Sequence, residues 1–139
     1  MARRHQENSL MSSTQTAPTA IVVLADPNGG EEALGRLFNA LSAAYDFKQK
    51  QRDVHVLFQG TGTRWIGLLT DPAHPAHAIY EAVADKVAGV SSGCADIFGA
   101  RAQAEDRGVP LLTANAVPGT SGLPSLEAYV SNGYTVLTF

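Results

Sequence analysis

The chain has a single cysteine in 139 residues, and that scarcity excludes several chemistries at once. No disulfide can close within the chain. No zinc site that needs two thiolates can come from it, and no dithiol oxidoreductase pair exists. Long apolar runs are missing too. Ala20–Ala25 is the longest, far short of the roughly 20 residues that span a bilayer, so no membrane partner is expected. Neither charge sign is in large excess. Ten Lys plus Arg against 13 Asp plus Glu give a net charge of −3, so nothing points to a nucleic-acid partner. Charged residues are 17% and apolar residues 45%, a balance that builds a core and lies outside disordered composition. The length fits one domain and is short for two.

Residues 1–19 are polar and aperiodic. They read as a disordered N-terminal tail, because a terminus without apolar anchors stays loose. Arg3 and Arg4 precede no apolar segment, so no secretory signal is expected. With a lone thiol, that favours the cytoplasm.

Residues 20–139 alternate strand and helix and read as a single domain. Ala20–Ala25 is a β-branched run closed by Asp26-Pro27-Asn28-Gly29-Gly30, a buried strand and its turn. Leu34, Leu37, Phe38, Leu41 and Tyr45 then recur at helical spacing. Asn28 and Glu31 stand at capping-box spacing. Val54–Phe58 is the second strand. A helix carrying Ile79, Tyr80, Val83 and Val87 follows Asp71-Pro72, and Val87–Ser91 is the third strand. A helix from Gly93 to about Arg107 leads to a fourth strand, Val109–Thr113. A last helix, Pro124–Asn132, precedes a fifth strand, Tyr134–Phe139. Right-handed crossovers between such strands give a three-layer α/β/α domain with a five-stranded, mostly parallel sheet covered on both faces.

Open parallel sheets bind ligands beyond the carboxyl ends of their strands. That edge holds Asn28, Gln59, Gly60, Arg64, Ser92, Gly93, Thr113 and Asn115, which are the candidate crevice residues. Phe139 should reach the same edge. His55, at the start of the second strand, falls at the opposite edge and reads as structural. Cys94 is the sharpest candidate. It follows a strand and opens a helix, where free N–H groups and the dipole favour the reactive thiolate. Asp96 works against that, and the position also suits a small buried hydrophobe. A lone sulfur can still serve as a persulfide carrier, or as a nucleophile beside a base.

Other signals are weaker. His74 and His77 are spaced for a metal, but Pro75 breaks the segment between them, so a stiffened loop is the reading and no metal is expected. Gly60-Thr61-Gly62 has Trp65 where a dinucleotide fingerprint needs its third glycine, and no P-loop exists; no cofactor is expected. Arg64 on the carboxyl edge suits either an anion contact or a surface or interface charge. The stretch Thr113–Leu123 is long for such a loop, a length common in lids and contact surfaces. Trp65–Leu69 reads as core with some oligomer contact.

Taken with Phe58-Gln59-Gly60-Thr61-Gly62, Gly89-Val90-Ser91-Ser92-Gly93-Cys94-Ala95, Pro118-Gly119-Thr120-Ser121-Gly122-Leu123-Pro124-Ser125 and the opening Asp26–Gly30 turn with its helix, the chain resembles the DsrE-like family over residues 20–139. The resemblance implies a small α/β/α domain that assembles into oligomers, here a homo-oligomer. It implies sulfur relay, in which a cysteine accepts sulfane sulfur from a donor protein and passes it to an acceptor. Cys94 stands where that catalytic cysteine would be. Asn28, Gln59 and Thr113 carry over no known role. The competing reading is a non-catalytic oligomeric binding or assembly domain with a small ligand or protein partner. A flavodoxin- or receiver-like domain fits less well. The first loop lacks a Ser/Thr-rich phosphate cradle, and the third and fifth strands do not end in Asp and Lys.

Overall fold

The computed structural model describes residues 17–139. Five strands form one sheet: β1 (Thr19–Val23), β2 (Val54–Phe58), β3 (Val87–Ser91), β4 (Leu111–Leu112) and β5 (Thr135–Thr138). Their order is β4-β3-β2-β1-β5, and all four pairings are parallel. The helices are α1 (Gly30–Gln49), α2 (Trp65–Leu69), α3 (His77–Val83), α4 (Ser92–Ile97), α5 (Arg101–Asp106) and α6 (Leu126–Ser131). The expected tail is outside the described residues up to residue 16. From there the chain is tied to the sheet, with the Thr135 N–H donating to the Pro18 oxygen at 2.9 Å.

Strand order decides which face each helix covers. From β1 to β4 the chain steps in one direction, so right-handed crossovers place α1 to α5 on one face. Ile21, Val23, Val54, Val56, Phe58 and Val90 point into that layer and share its core with Leu37, Leu41, Trp65, Ile66, Tyr80 and Ala104. The step from β4 to β5 crosses back over the sheet and puts α6 on the other face. His55 points there by strand alternation, and its Nδ1 lies 2.9 Å from the Tyr129 hydroxyl of α6. The two layers are unequal. α6 has six residues, none of them buried.

Several elements depart from expectation. α1 buries Ala33, Leu37, Ala40, Leu41 and Ala44, while Phe38 and Tyr45 are exposed. Small alanines let the helix lie close to its neighbours, so the buried stripe is turned away from the two rings. No capping box forms. Asp26 Oδ1 takes the Asn28 N–H at 2.9 Å, the turn Pro27–Gly29 intervenes, and α1 starts after Gly29 without a side-chain cap. The helix expected from Gly93 to Arg107 is broken into α4 and α5, with Gly99 at φ +71° between them. The fourth strand shrinks to two residues.

Candidate functional site

Ser91 ends β3, and its hydroxyl accepts the Cys94 N–H at 3.3 Å, fixing the first turn of α4. Ser92 is buried. Its hydroxyl lies 2.7 Å from the Ser121 hydroxyl and takes an N–H from Arg101 at 2.8 Å. The Gly93 N–H donates to the Gly122 oxygen at 2.7 Å. A Cβ at Gly93 would lie 3.0 Å from Leu123 Cδ1 and 3.1 Å from Thr120 Cβ, so the loop 113–124 closes directly on the helix. Cys94 itself is half-buried, and its thiol is free.

The carboxylate expected to oppose a thiolate is engaged elsewhere. Arg101 Nε donates to Asp96 Oδ1 at 2.5 Å, and the Ser121 hydroxyl donates to Asp96 Oδ2 at 2.6 Å. These hydrogen bonds, Arg101 first and then Ser121, hold the Asp96 carboxyl below the usual carboxylate range. Arg101 also reaches Glu105 at 3.1 Å. The sequence places Ser121 on this edge without singling it out, and it gives no sign of Arg101. The break at Gly99 folds Arg101 back beside α4, a geometry that a continuous helix would not predict.

The other candidates separate into groups. Gln59 and Asn115 line one open groove of about 470 Å³ with Leu123, Pro124, Leu126 and Glu127. Leu123 joins this groove to the Cys94 segment through its contact with Gly93. Thr113 is exposed and packs under Gly122. Gly60 opens the short helical turn Gly60–Arg64 at φ +57°. Arg64 does not stand free for an anion. Its Nη1 is 3.5 Å from Asp26 Oδ1, its Nε donates to the Phe98 oxygen at 3.1 Å, and it covers the Phe98 ring. Asn28 is exposed in the neighbouring turn. The Phe139 oxygen accepts N–H groups from Leu24 at 2.8 Å and Ala25 at 3.2 Å, so the fifth strand does end at this edge.

His74 and His77 are used locally. His74 Nδ1 accepts the Ala76 N–H at 3.0 Å, and His77 Nδ1 lies 2.7 Å from the Leu69 oxygen. Trp65 is buried and donates to the Ala25 oxygen at 2.7 Å. At the opposite edge His55 packs edge-on against Tyr129 and Tyr134. Burial, then the Asp53 carboxylate, hold the Tyr129 hydroxyl above the usual tyrosine range.

No protein-family model and no curated protein sequence matches the chain. Solved structures do. A conserved protein of unknown function, BT1422 from Bacteroides thetaiotaomicron, superposes with a TM-score of 0.55 at 12% identity, covering 86% of this chain and 94% of that one. The ychN protein from E. coli superposes with a TM-score of 0.53 at 19% identity, covering 88% of this chain and 99% of that one. Likeness at this identity establishes the fold, and the fold fits the DsrE-like resemblance read from the sequence. Among the described residues, no helix is long and apolar enough to cross a membrane.

Proposed function

We propose that the protein carries sulfane sulfur on Cys94 as a persulfide and hands it to a partner protein. One observation carries this reading. A half-exposed, free thiol stands at the carboxyl edge of a parallel sheet, and the carboxylate two residues on is occupied by Arg101 and Ser121. The DsrE-like fold is in keeping with it. The chemistry needs one sulfur per chain and no internal partner. The Cys94 thiolate attacks the outer sulfur of a donor persulfide. An S–S bond forms at Cys94, the donor's S–S bond breaks, and the donor leaves as a thiolate. An acceptor thiolate repeats the exchange on Cys94 and restores its thiolate. Donor and acceptor proteins are therefore the partners of this reading. It includes a homo-oligomer, in keeping with the thin layer formed by α6 and β5, which bury no side chain and leave Val130 exposed.

Cyanide provides a protein-free acceptor. Protein treated with inorganic polysulfide and desalted should release thiocyanate on addition of cyanide, in an amount matching the chain concentration. Cys94→Ser should release none. Equal release from both proteins, or none from either, would overturn the reading.

A further inference from the structure

We infer that the groove between the end of β2 and the start of α6 binds a small uncharged molecule through an amide-type edge. The chain leaves β3 toward the α4 face and leaves β4 toward the α6 face. Crevices of open sheets form beside such partings, at the carboxyl ends of the strands, and the groove is lined on that edge by the residue after β2 and by the segments that follow β4. It offers about 470 Å³, within the range of small-molecule sites.

Gln59 decides the chemistry. It is only 8% exposed. Its backbone is fully used, with its N–H on the Val23 oxygen at 3.0 Å and its carbonyl accepting the Gly62 N–H at 3.0 Å. Its side-chain carboxamide has no hydrogen-bond partner among the described residues, yet it lines the groove. The carboxamide opens into the groove, where a ligand edge carrying one donor and one acceptor would satisfy both its ends. Asn115 presents a second carboxamide at the exposed mouth. Its backbone N–H and C=O are both paired with Leu123, at 2.7 and 2.9 Å, which leaves the side chain for other contacts. Leu123, Pro124 and Leu126 supply an apolar wall.

Charge narrows the class further. Among the described residues no Lys or Arg lines the groove, and its one charged residue is Glu127. Phosphates and carboxylates would meet the negative charge of Glu127, which takes the Ser131 hydroxyl and no cation among the described residues, so the fit is to a neutral ligand: a flat apolar body bearing a primary amide or lactam edge. This inference does not rest on the sulfur chemistry, because Cys94 does not line the groove.

Benzamide and benzoate share a shape and differ in that edge. Titrated into isotope-labelled full-length protein, benzamide should saturably shift the side-chain amide resonances of Gln59 and Asn115 and the backbone amides of residues 123–127. Benzoate should not. Gln59→Met should weaken benzamide at least tenfold, Asn115→Ala at least threefold, and Cys94→Ser should leave its affinity unchanged. Should Gln59→Met fail to fold, the exposed Asn115→Ala variant decides alone. No saturable shift, equal response to benzoate, or wild-type affinity in the groove variants would overturn the inference.

Discussion

Asp96 illustrates how far single residues set this site. Next to a free thiol its charge would disfavour a thiolate, but Arg101 and Ser121 occupy both of its oxygens. Because its folded value is depressed, the stability it adds is present above the ordinary carboxylate value of about 3.9 and is lost as pH falls through the lower native value. Asp96→Asn should therefore be less stable than wild type at pH 7 in urea unfolding, and the gap should close as both are taken below about pH 4. A gap that persists at pH 2 would contradict the assignment. Gly62 is a steric case. A Cβ there would fall 2.3 Å from the Val23 oxygen, a backbone atom with no freedom to turn aside. Gly62→Ala should cost about 1–3 kcal/mol as overpacking does, measured by the same unfolding experiment. The placement of Cys94, Gln59 and Asn115 at the carboxyl edge was legible in sequence, because strand ends name that edge. Arg101 was not, since its role depends on a helix break. Arg64 reads in sequence either as an anion site or as a surface charge, and its pairing with Asp26 was not legible because it joins loops far apart in the chain.

At the scale of elements, the strands were the most legible feature. Val54–Phe58 and Val87–Ser91 match their sequence boundaries, because short β-branched runs between turn residues leave little choice. Helices were less so. Gly99 lies inside a pattern that reads as continuous, and only its positive φ shows that α4 stops before α5 begins. The fourth strand was read too long, because β4 is an edge strand with a partner on one side alone. The junction of α4 with the loop 113–124 is the element on which the site depends. Three bonds hold it: Gly93 to Gly122, Ser92 to Ser121 and Asp96 to Ser121. Gly93→Ala would push a methyl group against Leu123, Thr120 and Gly122. Hydrogen exchange at residue 93 should then accelerate tenfold or more, a loss of about 1.4 kcal/mol of local protection, while amides in β1 and β2 keep theirs. Unchanged exchange at residue 93 would show that the loop does not lock the helix.

For the molecule as a whole, fold class was readable and strand order was not. Alternation of strand and helix implies a parallel sheet, yet nothing local says that β5 returns to lie beside β1. That return sets the asymmetry of the protein. Among the described residues it gives a thick layer of five helices on one face, a single short helix on the other, and a groove between the residue after β2 and the segments that follow β4. Cys94 stands on the thick side of that edge, and Gln59 faces the thin side. The central claim, a sulfur carried on Cys94, is tested most directly by intact mass after exposure to a sulfane-sulfur donor. The native chain should gain one sulfur atom that mild reductant removes, and Cys94→Ser should gain none. A native chain that gains nothing, and whose thiol is alkylated only after unfolding, would contradict the account and leave Cys94 as a packing residue.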